Sequence, residues 1–350
     1  MKARLPVRKA ILERKTYDAP AEGRAGKIRL DFNENTTGCS AAGQRAISRL
    51  SAKEFAMYPE YEVPTARLAR YFGVRPEEIA LTNGGDEALR VFFDTFVDQG
   101  SHILICEPTF PMYRFYAEIA GARIEALRYT EEMEFPMEAV LAALRKKPRL
   151  FFLANPNNPT GTLVSREVIR RILRAATCTA VVVDEAYSDF SGLTCVPWIR
   201  RNSNLFIAKT FSKAAGLAGL RLGAVIAQRD SLASVRRALP PFPVNAAALV
   251  AAVAAVKERK TIRRYIRDVK VLRKWLASEL TKRSVRVFPP AGNFVLADFG
   301  PSGPRVFRKL LRDGILVRDR SKDLGRGFAR ITIGTRTELR KLLQSFDEVR

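Results

Sequence analysis

Short apolar runs alternate with helix-like segments through the middle of this 350-residue chain, and this alternation limits its possible folds more than any other feature. The runs are nearly continuous in hydrophobicity and rich in β-branched or aromatic residues, as strands buried on both faces should be. The predicted strands are His102–Cys106, Arg149–Ala154, Thr179–Val183, Asn204–Ala208 and Leu222–Ala227, and the helices are Pro111–Ala120, Met137–Lys146, Arg166–Ala175 and Ser231–Leu239. This order predicts an α/β domain with a mainly parallel sheet covered by helices.

The pattern changes after the proline-rich turn Leu239–Pro243. A long helical segment follows, with apolar residues from Ile262 to Leu276 on one face. The elements predicted beyond it are strands at Val285–Phe288, Phe294–Phe299, Ile315–Val317 and Ala329–Ile333 and a helix near Val306–Arg312. We therefore predict a smaller α+β domain at residues 241–350, a large domain at residues 31–240 and an N-terminal arm at residues 1–30.

The chain has one histidine, His102, which lies beside an apolar run where a structural role is expected. Ser-His-Asp hydrolysis, histidine-based metal sites and HRD-type kinase chemistry each need a histidine that this chain cannot spare. The four cysteines are far apart and form no CxxC pair, so neither a zinc site nor a disulfide framework is expected. Proton transfer at neutral pH must therefore depend on Lys, Asp, Glu, Tyr or Cys.

The chain is strongly basic, with 60 Lys and Arg against 36 Asp and Glu and a formal charge of +24. Such a charge favours anionic partners, although a solvated basic surface without a partner is the simpler explanation. A nucleic-acid-binding regulator is a competing interpretation, but the segment before Asp31 is too short for a helix-turn-helix domain, so no nucleic-acid partner is expected. No apolar run approaches the roughly 20 residues of a spanning helix, and the N-terminus lacks an apolar signal core. We expect a cytoplasmic protein without membrane contact.

Polar motifs follow the predicted strands, at the strand ends where open α/β sheets carry their sites. Gly84, Gly85 and Asp86 precede an apolar helix, where glycines allow a tight turn and free N–H groups bind phosphate. Asp184 directly follows an apolar strand, and such a carboxylate is costly to bury unless a cation pairs with it. The other motifs are Asn155–Gly161, Tyr187, Thr210–Lys213 and Gly219–Gly223. Each motif alone also fits an ordinary turn or helix cap, but their succession along one sheet predicts a site.

These residue types fit a pyridoxal phosphate site. Lys213 would form the Schiff base with the cofactor aldehyde and, once a substrate amine displaces it, act as the general base. Asp184 would keep the pyridine nitrogen protonated, so that the ring accepts electrons from the substrate carbanion. The remaining predicted contacts are Asn158 and Tyr187 at the phenolate oxygen, Phe110 stacked on the ring, and Thr210, Ser212, Arg221 and the N–H groups of Gly85 and Asp86 at the phosphate.

On these residues the chain resembles the fold type I pyridoxal-phosphate aminotransferases, and within them it is most similar to histidinol-phosphate aminotransferases. The strings that carry the resemblance are Asp31–Asn35, Tyr58-Pro59, Asn83–Glu87, Pro156–Gly161, Asp184–Tyr187, Ser212–Arg221, Gly292–Val295, Gly314–Asp319 and Arg330–Thr335. The resemblance implies a homodimer in which Tyr58 reaches the neighbouring subunit's cofactor phosphate. It also implies a substrate pocket formed by Tyr17, Asn33, Arg318 and Arg330.

The activity that the resemblance implies is a step of histidine biosynthesis. It is the reversible transfer of an amino group from histidinol phosphate to 2-oxoglutarate, which gives imidazole acetol phosphate and glutamate.

Two positions depart from the family pattern and leave alternatives open. The family commonly continues its Asn-Glu-Asn string with Pro-Tyr-Gly-Pro-Ser, whereas this chain has Thr36–Ser40, and the stacking position, commonly Tyr, is Phe110. Because the first departure lies in a segment lining the substrate pocket, an aromatic amino acid aminotransferase and a lyase resembling threonine-phosphate decarboxylase remain alternatives. Two arginines suit an anionic substrate tail, unless Arg318 pairs with Asp319 or Asp323 at the surface.

Overall fold

The structure is a computed structural model that describes residues 5–12, 14 and 22–349. Tyr17, predicted for the substrate pocket, lies outside the described residues. Over the described ranges the strands are β1 (Ile28–Leu30), β2 (Ile79–Thr82), β3 (His102–Glu107), β4 (Arg123–Arg128), β5 (Leu150–Ala154), β6 (Ala180–Asp184), β7 (Leu205–Thr210), β8 (Gly223–Ala227), β9 (Arg286–Val287), β10 (Phe294–Asp298), β11 (Ile315–Asp319) and β12 (Phe328–Thr332). The α-helices are α1 (Lys9–Leu12), α2 (Ala41–Ser48), α3 (Ala52–Ala56), α4 (Glu62–Phe72), α5 (Gly84–Phe96), α6 (Met112–Ala120), α7 (Met137–Leu144), α8 (Arg166–Ala175), α9 (Ser188–Ser191), α10 (Arg229–Ala238), α11 (Ala246–Lys257), α12 (Arg259–Lys282), α13 (Gly303–Arg312), α14 (Ser321–Leu324) and α15 (Arg336–Asp347).

The larger sheet of the described chain has seven strands in the order β2-β8-β7-β6-β5-β3-β4. Strands β3 to β7 pair in parallel, and β8 runs antiparallel to both of its neighbours. Side chains alternate between two buried cores: Phe151 and Leu153 face one core, and Leu150 and Phe152 face the other. This two-sided burial is why the strands read as continuous apolar runs. The predicted mainly parallel sheet covered by helices is confirmed.

The register brings the polar strand ends to one edge of this sheet. Asp184 is paired in register with Ala154 on one side and Ala208 on the other. Gly223, the first residue of β8, is paired with Thr82 at the end of β2 and Thr210 at the end of β7. The ends of β2, β5, β6 and β7 therefore lie side by side, and the segments that follow them meet at the same edge.

The second sheet of the described chain has five strands in the order β1-β11-β12-β10-β9. Strand β1 is parallel to β11, and the other pairs are antiparallel. Ile28–Leu30, at the end of the predicted arm, is thus a strand of the sheet otherwise formed by the C-terminal part of the chain. The boundaries at residues 30 and 240 stay predictions.

The long helical segment predicted after the proline-rich turn contains two helices, and the apolar face from Ile262 to Leu276 belongs to the second. Helix α11 ends at Lys257 and α12 begins at Arg259, with Glu258 between them at φ −91° and ψ 53°. Helix α11 packs against α2 and α4, whereas α12 packs against β9 and β10 of the second sheet. In the described part of the chain, no helix is both long and apolar enough to cross a membrane.

Candidate active site

The turn between β2 and α5 forms a backbone cradle at the edge of the large sheet. Gly84 has φ +78°, and a Cβ there would collide with the guanidinium group of Arg221. A Cβ at Gly223 would collide with the Gly84 carbonyl oxygen, and one at Gly85 would lie 3.6 Å from the Thr210 Cβ. These close approaches explain why positions 84 and 223 are glycines. They also place the first N–H groups of the 13-residue helix α5 beside Arg221 and Thr210. Free N–H groups and the helix dipole at this position suit an anion.

Arg221 and the Thr210–Ser212 turn border this cradle. Arg221 Nη2 donates a hydrogen bond of 2.9 Å to Asp86 Oδ2 in the first turn of α5. Thr210 Oγ1 donates to Ser212 Oγ at 2.9 Å, and the Ser212 N–H donates back to Thr210 Oγ1 at 3.2 Å. Two hydroxyl groups and a guanidinium group therefore stand at the N-terminus of α5, a donor set suited to a phosphate.

Lys213 follows this turn and is partly buried. Its Nζ donates to the carbonyl oxygen of Phe32 at 2.9 Å and lies 5.7 Å from the centroid of the Tyr187 ring. Gly216, in the loop after Lys213, lies against the segment that departs from the family pattern: a Cβ at Gly216 would be 2.7 Å from the Gly38 carbonyl oxygen. The departing segment therefore contacts the Lys213 loop.

Asp184 is a buried carboxylate without a cationic partner among the described residues. The Tyr113 hydroxyl donates to its Oδ2 at 2.7 Å, and the Ala186 N–H donates to its Oδ1 at 3.0 Å. Burial raises the pKa of Asp184 above its ordinary value despite these two hydrogen bonds. Burial likewise raises the pKa of Tyr113, so its hydroxyl stays protonated as a donor. The missing cation is what a protonated ring nitrogen would supply, and in this respect the site fits pyridoxal phosphate.

Sequence reasoning did not single out Tyr113. Its ring is fully buried and stacks on Phe152 at 4.9 Å, which fixes the hydroxyl toward Asp184. Phe110, predicted to stack on the cofactor, lies just before α6 with its ring edge-on to Tyr113 at 6.0 Å.

Asn33 and Tyr187 form a second hydrogen-bonded group of predicted site residues. Asn33 is buried, has φ +55° and donates from Nδ2 to the Tyr187 hydroxyl oxygen at 2.9 Å. Its backbone N–H donates to Thr332 Oγ1 at 2.9 Å, and its carbonyl oxygen accepts from Asn293 Nδ2 at 3.0 Å. Asn33 thus links β12 and the Gly292–Val295 string to the Tyr187 side chain.

Arg330 and Arg318 are paired in register on the antiparallel strands β12 and β11. Arg330 is buried, with Nη1 donating to Asn158 Oδ1 at 2.5 Å and Nη2 donating to the Asp31 carbonyl oxygen. Its Nε is buried without a hydrogen-bond partner. Burial lowers the pKa of Arg330 to about 10, so the group remains charged at neutral pH.

Arg318 is partly exposed and forms no ion pair with any described carboxylate. Asp323, one of its two alternative partners, pairs with Arg320, and Asp319 accepts from the Ser321 N–H at 2.8 Å. The surface pairing that would occupy Arg318 is therefore not formed within the described residues.

Tyr58 lies apart from the other predicted site residues. It follows α3, is 77% exposed, and stacks on Phe242 at 4.4 Å. Phe55 and Met57 beside it are also exposed. An exposed group of apolar side chains of this kind is typical of a protein–protein interface.

Comparisons with known proteins identify the family of this chain. The family model described as aminotransferase class I and II matches residues 25–346. Histidinol-phosphate aminotransferase 1 of Carboxydothermus hydrogenoformans is 34% identical over 92% of this chain and 93% of its own length. Histidinol-phosphate aminotransferase of Moorella thermoacetica is 33% identical over 98% of this chain and 92% of its own length.

Solved structures with similar folds include a putative histidinol-phosphate aminotransferase from Erwinia carotovora atroseptica. It is 27% identical with a TM-score of 0.86, covering 92% of this chain and 95% of that one. Histidinol-phosphate aminotransferase from Sinorhizobium meliloti, solved in complex with pyridoxal-5'-phosphate, is 24% identical with a TM-score of 0.90 over 99% of this chain and 98% of that one, a likeness of fold. Because the family model spans most of the chain and relatives above 30% identity cover more than nine-tenths of it, this protein belongs to the class I and II aminotransferases.

Proposed function

We propose that this protein is a pyridoxal-phosphate-dependent histidinol-phosphate aminotransferase. It transfers the amino group of histidinol phosphate to 2-oxoglutarate, giving imidazole acetol phosphate and glutamate reversibly. The observation that carries the substrate assignment is the pairing of Arg318 with the buried, charged Arg330 on neighbouring strands. The names of the relatives at 33% and 34% identity support the same donor.

The cofactor, when bound, supplies an electron sink for the carbanion at the substrate Cα. Lys213 Nζ would hold its aldehyde carbon until the substrate amine displaces the lysine. The freed amine would then remove the proton from Cα of the amino donor in one half reaction and give a proton to Cα of the oxo acceptor in the other. Asp184 would stabilise the proton on the ring nitrogen, and Asn158 and Tyr187 would donate to the phenolate oxygen. Stacking by Phe110 and phosphate contacts from Thr210, Ser212, Arg221 and the N–H groups of Gly85 and Asp86 complete the proposed cofactor site.

The two arginines account for substrate choice. A planar guanidinium group binds a phosphate or a carboxylate with two parallel hydrogen bonds, so the same pair suits the phosphorylated donor and the distal carboxylate of 2-oxoglutarate. Arg330 has a buried Nε without a partner and Arg318 has no described ion pair, so both retain donors for a ligand. A neutral aromatic tail would leave Arg318 and the buried Nε of Arg330 without an anionic partner, which favours the phosphorylated donor over an aromatic amino acid.

The working unit that we propose is a homodimer in the cytoplasm. Tyr58, Phe55, Met57 and Phe242 are exposed large apolar side chains on one part of the surface, and a partner subunit would cover them. In such a dimer Tyr58 reaches the phosphate group of the cofactor bound to the neighbouring subunit. The four cysteines are free thiols in this structure, which suits a reducing compartment.

Isotope transfer tests the reaction. The cofactor-loaded protein is incubated with histidinol phosphate labelled with ¹⁵N at its amino group and with 2-oxoglutarate. We expect labelled glutamate in amounts equal to the oxo product. Unlabelled glutamate, or no glutamate, would contradict transamination of this donor. Incubation with threonine phosphate should release no carbon dioxide, and release would favour the lyase alternative.

A further inference from the structure

Arg24 is a buried arginine that belongs to none of the motifs at the strand ends. Its Nε and Nη2 donate to the two carboxylate oxygens of Asp31 at 3.2 and 2.7 Å, and Nη2 also donates to Glu34 Oε2 at 2.8 Å. Its guanidinium carbon lies 3.9 Å from the centroid of the Phe32 ring. One side chain, itself only 9% exposed, therefore binds three of four consecutive residues.

The residues bound in this way contact the proposed catalytic and substrate-binding groups. Two backbone carbonyl oxygens of the Asp31–Asn33 segment accept hydrogen bonds, one from Arg330 and one from Lys213 Nζ at 2.9 Å. The side chain of Asn33 donates to the Tyr187 hydroxyl oxygen at 2.9 Å. A displacement of this segment would therefore alter the surroundings of three proposed site residues together.

The segment depends on side-chain contacts for its conformation. It follows β1 and belongs to neither a helix nor a strand, so no regular ladder of backbone hydrogen bonds holds it. Asn33 has a left-handed backbone, at φ +55°, which is uncommon for a residue with a side chain. Asp31 is 4% exposed, and without Arg24 its carboxylate would be buried without a cation.

We propose that Arg24 is a positioning residue, which holds the Asp31–Asn33 segment in the conformation that orients Lys213 and Arg330. The proposal rests on the function proposed above for those two residues. A lysine cannot replace the guanidinium group fully. The planar guanidinium group donates two hydrogen bonds to the Asp31 carboxylate and also stacks on the Phe32 ring, and an ammonium group cannot do both. The geometry thus accounts for an arginine at this position.

The test compares Arg24→Met and Arg24→Lys with a matched control, Arg29→Met. Arg29 also pairs with Glu34, but it contacts neither Asp31 nor Phe32 in the described structure. The first measurement is the Kd of 2-oxoglutarate for the cofactor-loaded protein by calorimetry, where no amino group is present and no turnover occurs. The second is kcat and KM per bound cofactor with the donor that the wild type uses. The third is hydrogen exchange over residues 31–35 of the cofactor-free protein.

We expect Arg24→Met to weaken 2-oxoglutarate binding and kcat/KM about tenfold or more, as loss of charged hydrogen bonds at one site would do. Hydrogen exchange over residues 31–35 should be faster in Arg24→Met than in the wild type. In all three measurements Arg24→Lys should lie between Arg24→Met and the wild type. The Kd, kcat/KM and exchange rates of Arg29→Met should stay within about twofold of the wild-type values. A folded Arg24→Met protein with reduced thermal stability but wild-type Kd, kcat and KM would overturn the proposal. If Arg24→Met does not fold, wild-type constants in Arg24→Lys overturn it equally. If the wild type does not react with histidinol phosphate but uses another donor, the proposed substrate is wrong. The comparison of the Arg24 variants with the wild type can still be made with that other donor and with 2-oxoglutarate.

Discussion

Asp184 is buried, hydrogen-bonded to Tyr113, and without a cation among the described residues. Burial raises its pKa in the folded chain, so the stability that this group contributes is present below the unfolded pKa and is lost as pH rises through the folded pKa. A bound ring nitrogen that carries a proton would restore the missing charge partner.

The raised pKa of Asp184 predicts how the stability of the Asp184→Asn variant compares with that of the wild type as pH changes. In the cofactor-free protein, the stability of the wild type relative to Asp184→Asn should fall as the pH rises from about 4, the ordinary pKa of an aspartic acid, towards neutral pH, because only the wild type has a carboxylate to ionise. Urea denaturation of both proteins at several pH values measures this difference. A constant difference over that range would mean that the carboxylate already has a charge partner. Transamination by the variant should be lost.

Arg318 supplies the prediction that separates the substrate alternatives. Arg318→Ala should lower kcat/KM for histidinol phosphate tenfold or more, a loss of about 1.5–3 kcal/mol for a charged hydrogen bond. It should scarcely change kcat/KM for phenylalanine, which has no anionic tail. Arg326→Ala removes an exposed arginine nearby and serves as the control for the change in overall charge. Equal losses on both donors would favour the aromatic aminotransferase.

The site residues at the strand ends could be predicted because each is a polar residue that directly follows an apolar run, at the point where the predicted strand ends. Tyr113 and Arg24 could not be predicted in this way. Tyr113 lies in the amphipathic pattern of α6, where a buried aromatic residue is ordinary core, and only the structure shows its hydroxyl on Asp184. Arg24 lies 7 and 10 residues before its partners Asp31 and Glu34, and a turn and the short strand β1 separate them, so no single helix or strand period relates these residues.

At the scale of elements, β6 and β7 are joined by a buried ion pair on the side of the sheet away from Asp184. Lys209 Nζ lies 2.6 Å from Glu185 Oε2 and donates to Ser188 Oγ at 2.8 Å. Burial alone would lower the pKa of Lys209, but the Glu185 and Asp189 carboxylates raise it above its ordinary value. Glu185 Oε1 also accepts from the Cys195 N–H at 2.5 Å, so the pair fixes the loop after α9.

Lys209→Met should destabilise the protein by about 3–5 kcal/mol, because it leaves the Glu185 carboxylate buried without its cation. The double variant Lys209→Met with Glu185→Gln should recover part of this loss. Arg90→Met, which breaks the exposed Arg90–Asp94 pair, should cost about 1 kcal/mol or less. Denaturant midpoints measure all three. A Lys209→Met protein as stable as Arg90→Met would contradict the account of this pair.

The bounds of the strands buried on both faces were predicted to within one or two residues. The strands at the edges of the large sheet and the junction between α11 and α12 were not predicted. Strand β4 is one edge of the sheet and carries the charged residues Arg123, Glu125 and Arg128, so it lacks a continuous apolar run. Strand β2 has only four residues and leads directly into the glycine turn. The separation of α11 from α12 at Glu258 involves neither glycine nor proline, so the sequence offered no signal for it.

At the scale of the whole molecule, the α/β class and the family could be predicted because the strand–helix alternation and the strand-end strings are local in sequence. The pairing of β1 with β11 could not, because it joins Ile28–Leu30 to Ile315–Val317 across nearly the whole chain. Subunit association is likewise invisible in a single sequence except through resemblance. The exposed side chains around Tyr58 are its physical support here.

A shared active site predicts complementation between two inactive subunits. Tyr58→Phe and Lys213→Ala proteins, each of low activity alone, should regain activity when mixed, refolded and allowed to form hybrid dimers, because one of the two sites is then intact. Activity against mixing ratio, with molecular mass by light scattering, measures this. Full activity of the wild type as a monomer at high dilution would show that Tyr58 acts within its own chain or not at all.

Single-turnover half reactions of the cofactor-loaded protein with histidinol phosphate, histidinol and phenylalanine, followed by the cofactor's absorbance, show whether this aminotransferase selects a phosphorylated donor. We expect histidinol phosphate to react at least about 100-fold more efficiently than histidinol, since two arginines lose their anionic ligand when the phosphate is absent. Equal reactivity of histidinol and histidinol phosphate, or faster reaction with phenylalanine, would contradict this selection.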